Sequence, residues 1–206
     1  MEKIRICLTK NQNIFFTSDL HFDHRNVIKF CDRPFDTTPL MNQGLIDNWN
    51  ELVTNDDIVF HLGDLFWFNS RDNDTKLESL NGRKIYLLPG NHDFKSYKSA
   101  KVTSCADIVC LTLSAEDWED RGWDNSTYEI WLCHYPMTTW PHRDKQFNFQ
   151  LFGHIHSQIG KIVGFDQDLI LHTNQYDVGV DRNNWSPVSI DDLLIIFGHM
   201  NFKLNE

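Results

Sequence analysis

Short apolar runs rich in β-branched and aromatic residues recur along the chain at residues 4–8, 14–17, 58–62, 85–88, 108–113, 128–133, 149–152, 169–171 and 178–180. Each is bounded by Gly, Pro, Asn or Asp, and runs of that length between turn formers predict strands. A different period holds at Leu40, Met41, Leu45, Ile46, Trp49, Leu52 and Val53, where apolar residues return every three or four positions. That stripe predicts a helix over 40–53, with Thr38 placed to cap it and Pro39 suited to its first turn. Further helices are expected over about 74–80, ending at Asn81-Gly82, and over about 190–197 after Ser186-Pro187. Helices fall between strands mainly in the first half, so the pattern predicts a mixed α/β domain with more sheet in its second half. Residues 117–126, with clustered charges around Trp118 and Trp123, read as a surface loop.

No repeat or Gly/Ser-rich linker divides the 206 residues, so one domain spanning 1–206 is expected. The formal charge of −10 argues against non-specific nucleic-acid coating and against an anionic-membrane surface. Any phosphate it handles must be attracted by something local. Five cysteines without a CxxC pair suit reduced thiols. The longest unbroken apolar stretch, 193–197, is far below the ~18 residues of a membrane span. The charged first ten residues leave no room for a signal peptide. A soluble cytoplasmic protein is the expectation.

The chemistry gathers where strands end. Thr17 is followed by Ser18-Asp19-Leu20-His21, and the run at 58–62 by Gly63-Asp64. The run at 85–88 is followed by Pro89-Gly90-Asn91-His92-Asp93, Cys133 by His134, and Phe152 by Gly153-His154-Ile155-His156. In an extended segment, side chains at i and i+2 share a side, so each paired motif can serve one ion. Any one of these motifs alone is weak, since a DxH occurs by chance and a lone His after a strand is usually structural. His61, His142, His172 and His199 stand outside the motifs and are read as structural. The joint pattern is specific: five histidines, three aspartates and an asparagine at five strand exits, in the order DxH, GD, GNHD, H, GHxH.

These motifs, all present and in that order, resemble those of the calcineurin-like metallophosphoesterases. A small prokaryotic and phage-type branch is similar over more of the chain, through His24, Asn26, Arg33-Pro34-Phe35, His61-Leu62-Gly63-Asp64, His134-Tyr135-Pro136, Val178-Gly179-Val180-Asp181 and Pro187-Val188-Ser189. The resemblance covers roughly 14–197. It implies an α/β fold, a four-layer αββα sandwich of two mixed sheets flanked by helices, with the site in loops at the strand ends. It implies two divalent transition-metal ions, one on Asp19, His21, Asp64 and His156, the other on Asp64, Asn91, His134 and His154, with Asp64 bridging.

Mixed imidazole and carboxylate ligands suit Mn, Fe, Zn, Co or Ni better than Mg or Ca, and manganese is favoured here. Two such ions bring about +4, which Asp19 and Asp64 reduce to about +2, so phosphate attraction in a −10 body comes from metals rather than lysine. Metal coordination lowers the pKa of water to about 7, and the resulting bridging hydroxide attacks phosphorus in line. His92, beside Asn91, is the expected general acid; His92, Asn91 and Asp64 form the catalytic set. Cys31 and Cys133 read as buried packing residues.

His24, Asn26 and Arg33 follow the first motif closely enough to line the pocket and bind substrate, although Arg33 equally suits a salt bridge that fixes the loop. Residues 138–143, with Trp140, His142 and Arg143, either hold a base or sugar or form a lid. The expected activity is that of a metal-dependent phosphodiesterase or nucleotide hydrolase acting on a small phosphoester. The rivals are a catalytically weak metal-bound scaffold for protein binding and a nuclease, the latter disfavoured by the charge. Oligomeric state is not legible.

Overall fold

The computed structural model describes residues 1–68, 72–93, 99–156 and 171–200. Strands β1 (Glu2–Leu8) and β2 (Ile14–Thr17) precede helices α1 (Arg25–Phe30) and α2 (Thr38–Leu52). Strand β3 (Ile58–His61), helix α3 (Asn73–Ser79), and strands β4 (Lys84–Leu87) and β5 (Val102–Ser104) complete the first half. Strands β6 (Ile108–Ala115), β7 (Thr127–Cys133), β8 (Asn148–Phe152), β9 (Gln175–Asp177) and β10 (Val188–Ser189) then lead into helix α4 (Ile190–Phe197).

The strands form two mixed five-stranded sheets, ordered β1-β6-β7-β8-β9 and β10-β2-β3-β4-β5. Alternation along each strand explains how they stack. Ile14 and Phe16 of β2, Phe60 of β3, Val109 and Leu111 of β6, Ile130 and Leu132 of β7, and Leu151 of β8 belong to one buried cluster between the sheets. The intervening residues point outward: Phe15, Val59 and Ile85 join Met41, Leu45, Trp49 and Leu77 in a second cluster beneath α2 and α3. On the outer face of the first sheet, Cys110 and Trp131 are covered by Trp140. The expected two mixed sheets with helices are observed, and among the described residues three of the four helices serve the second sheet.

Helix α2 buries Met41, Leu45 and Trp49, spaced four apart on one face. Its N-cap is Thr37, whose side chain accepts from the Leu40 amide; Thr38, the expected cap, is already the first helical residue. In α4, Ser189 caps the amide of Asp192, and Gly198 closes the helix in the left-handed conformation.

Three elements lack a sequence signal. Helix α1 buries only Val27, β10 has two residues, and β5 is short and without a fully buried position. The strand expected at 178–180 lies at 175–177 instead, while Gly179 makes an isolated bridge to Ser18. Residues 169–170 of another expected strand lie outside the described residues. The segment 117–126 is more than a surface loop: Trp123 is buried in the core, and its indole donates to Asp191 at 2.7 Å.

Topology then collects the strand exits. β2, β3 and β4 pair in parallel, as do β7, β8 and β9, so the carboxyl ends within each group open at one edge.

Candidate metal centre

Asp19 and His21 follow β2, Asp64 follows β3, Asn91 and His92 follow β4, His134 follows β7, and His154 and His156 follow β8. The paired motifs do not use an extended backbone, as the i, i+2 argument supposed. Asp19 (φ 60°), His21 (51°), His154 (71°) and His156 (46°) all sit in the left-handed region, as does Asp64 (58°). Such conformations cost about 1–3 kcal/mol each and persist only where the surroundings enforce them. Here the amides of Asp19 and His21 donate to the carbonyls of Gly63 and Asp64, locking the first loop onto the second.

Hydrogen bonds occupy one oxygen of each carboxylate and leave the other for the cavity. Asp19 Oδ2 accepts from the His154 amide at 2.8 Å, and Asp64 Oδ1 from the His92 amide at 2.9 Å. The remaining Asp64 Oδ2 stands 3.4 Å from His21 Nε2 and 3.5 Å from His134 Nε2. Asp19 Oδ1 is 4.0 Å from both His21 Nε2 and His156 Nε2. Two groups of convergent donors result: Asp19, His21 and His156, and Asp64, His134 and His154. Asn91 joins the second group with its Oδ1 3.1 Å from His134 Nε2.

The donors fit cations. Asp19 Oδ1 and His21 Nε2 are buried without a hydrogen-bond partner, a costly arrangement unless something else coordinates them. His134 Nδ1 lies 2.7 Å from the Leu62 carbonyl, which assigns the ring proton to Nδ1 and leaves the Nε2 lone pair for a ligand. Burial lowers the pKa of His21 and His154, favouring the neutral imidazole that metals require; burial acts the same way on His134, but contact with Asp64 and the charge of Asp19 raise its pKa. Burial opposes ionisation of Asp64, yet contact with His134, the neighbouring His21 and the His92 amide outweigh it, holding the carboxyl well below the usual carboxylate range.

Small residues and outer partners hold the loops together. A Cβ at Gly153 would collide with Ser18 and Asp19 Oδ2, and one at Gly90 with Asp64, so the last two glycine motifs are steric requirements. Asp93, the final residue of the third motif, accepts from the amides of Asp64, Leu65 and Gly90, tying the β3 and β4 exits together. His156 Nδ1 lies 2.6 Å from Asp181 Oδ2. Burial disfavours the imidazolium of His156, but Asp181 and Cys31 more than offset this and push its pKa up to about 11.

The family model described as calcineurin-like phosphoesterase matches residues 13–158, which include every one of these donors. The chain belongs to the calcineurin-like phosphoesterase family. The chain is 45% identical over 84 residues to an uncharacterized protein of Methanocaldococcus jannaschii, a match covering 40% of this chain and 47% of that protein. It is 30% identical over 170 residues to the gene 66 protein of Mycobacterium phage D29, covering 71% of this chain and 80% of that one. Among solved structures, a protein of unknown function from Aquifex aeolicus shares the fold with a TM-score of 0.58 and 22% identity, over 87% of this chain and 96% of that one. The family uses divalent metal ions, consistent with the donor groups of this chain.

A cleft of about 420 Å³ opens beside the donors, walled by His24, Asn26, Phe30, Trp67 and His92. His24 and Asn26 are among its lining residues. Arg33 is not: its side chain is fully buried, with Nε and Nη2 on the two Asp181 oxygens, Nη2 also on the Asp19 carbonyl and Nη1 on the Leu20 carbonyl. Arg33 is the loop-fixing residue, with no nitrogen left for a substrate. Residues 138–143 are also turned away from the cleft. The Trp140 indole donates to Asn148 at 2.7 Å, and His142 lies 3.0 Å from Glu129.

Two residues of the site escaped the sequence reading. Trp67 stacks on His24 with ring centroids 3.6 Å apart and an interplanar angle of 4°, five positions beyond the run at 58–62 and in no motif. Asp181 stood in a quoted motif, but only the folded chain brings it to His156. Cys31 and Cys133 are buried as expected, but Cys31 also groups with His156 and Asp181 rather than merely packing.

Proposed function

We infer that this phosphoesterase hydrolyses a phosphodiester or nucleotide at two divalent cations, manganese foremost. Asp19, His21, Asp64 and His156 would hold one, and Asp64, Asn91, His134 and His154 the other. The observation that carries this reading is Asp64 Oδ2, which faces histidines of both groups at 3.4 and 3.5 Å while Oδ1 is tied to the His92 amide. Bound there, the cations would neutralise phosphate charge and supply hydroxide at neutral pH.

The chain's own residues do the rest. Asp64 and Asp19 hold the donor loops in register through backbone amides, so the site is preorganised before a substrate arrives. As the water oxygen bonds to phosphorus and the ester bond breaks, His92 gives its proton to the departing oxygen, a role worth about 10²–10⁴-fold. His92 stands at the cleft with its ring 5.3 Å from that of His21, close to the donors yet outside both groups. No side chain acts as nucleophile. A small substrate is favoured because no lysine or arginine of the described residues lines the cleft to hold a long polyanion.

The test is a screen of manganese-loaded protein against an activated aryl diester and its monoester, then cyclic nucleotides and single-stranded DNA. Turnover of the diester that chelation abolishes and manganese restores is expected. No turnover of any ester with Mn, Fe, Zn, Co or Ni would contradict the reading and favour a binding scaffold.

A further inference from the structure

Among the described residues, part of the cleft wall is aromatic. Trp67 is 38% exposed and Phe30 66% exposed, large values for side chains of this kind beside a polar site. His24 forms the floor between them, stacked on Trp67 and 6.4 Å edge-on from Phe30. The indole also comes within 4.6 Å of the His92 ring, so the aromatic surface begins where the leaving group would depart. Asn26 and Phe30 stand four apart on α1, hence on one face, and both line the cleft.

These features restrict the ligand. Among the described residues no lysine or arginine lines the wall to give a second or third phosphate a counter-charge, which favours a single phosphoryl group. What the wall offers is flat apolar area and a primary amide beside it. A planar heterocycle with hydrogen-bonding edges matches both, because every base has a π-face and an amide can pair with its edge. The cleft volume of about 420 Å³ is within the range of small-ligand sites.

We propose that this cleft is a nucleobase subsite: Trp67 and Phe30 bind the base of a nucleoside monophosphate ester, with Asn26 at its edge, while the single phosphoryl group sits at the donor cluster. The inference rests on the phosphoesterase reading above and names its substrate class.

The test compares AMP with ribose 5-phosphate, which keeps the phosphate and lacks the base, by calorimetry on manganese-loaded protein. Base stacking predicts that AMP binds about 5- to 150-fold more tightly. In Trp67→Ala, that ratio should fall toward 1. Because Trp67 packs on His24, the exposed Phe30→Ala serves as a second variant, expected to lower the same ratio with thermal stability unchanged. A parent ratio near 1, or a ratio that survives both substitutions, would overturn the subsite while leaving ester hydrolysis intact. Binding of neither compound, together with no hydrolysis of any ester, would overturn the phosphoesterase reading as well. A 5′-phosphorylated oligonucleotide forms the last arm: binding it more tightly than AMP would replace the mononucleotide with a strand end.

Discussion

Asp181 Oδ2 and His156 Nδ1 are 2.6 Å apart, and this hydrogen bond turns the opposite ring nitrogen toward Asp19. Arg33 grips both oxygens of Asp181 and reaches the Asp19 and Leu20 carbonyls, so one guanidinium joins the first donor loop to the last. Burial alone would raise the Asp181 pKa; Arg33 and His156 instead lower it to about 2, so the residue works as a carboxylate. A carboxylate behind a ligating imidazole fixes its tautomer and raises its basicity.

Asp181→Asn is therefore expected to weaken manganese binding about 10–100-fold at the group containing Asp19, with the group containing Asn91 less affected. Calorimetric titration, with thermal unfolding as a control on folding, measures this. Unchanged affinity in a folded variant would show that His156 is oriented by something else.

His92→Gln should retain metal, because the parent side chain lies outside both donor groups. Its kcat on an alkyl ester should drop about 10²–10⁴-fold, whereas a nitrophenyl ester, whose leaving group needs no proton, should be little affected. Parent-like turnover of the alkyl ester would remove His92 from the acid role.

Much of this site was legible because its residues are displayed locally. Each donor stands within four residues of the end of a strand, and a short apolar strand between turn formers announces itself. The backbone conformation was not legible, since left-handed Asp19, His21, His154 and His156 are imposed by bonds to neighbouring loops rather than by their own residue types. Nor were long-range roles. Arg33 and Asp181 are 148 positions apart, and a basic residue near a phosphate-binding motif reads equally well as substrate contact or structural brace until its partner is known. Short elements such as α1 and β10 are stabilised by tertiary packing and carry too few residues to show a period.

His61 gives a pH dependence of stability separate from catalysis. It is wholly buried, its Nδ1 accepts from the Gly63 amide, and burial depresses its pKa to about 3 from the ordinary 6.5. Above pH 6.5 the ring is neutral in both folded and unfolded chains and pH has no effect through it. As pH falls from 6.5 toward 3, only the unfolded chain takes up the proton, so stability is lost. At pH 5 the loss through this residue is about 2 kcal/mol. Denaturant unfolding in the presence of chelator at pH 7 and pH 5 should show His61→Gln losing less stability than the parent by about that amount; equal losses would show that His61 titrates normally.

The most direct measurement is metal content. After loading with manganese and removal of excess, elemental analysis should find about two ions per chain, because Asp64 faces both donor groups and each supplies three or four ligands. Asp64→Asn, isosteric but uncharged, should retain fewer than about one ion per chain, since the lost charge serves both positions. A parent chain that holds no manganese, or an Asp64→Asn chain that keeps two ions, would contradict the account.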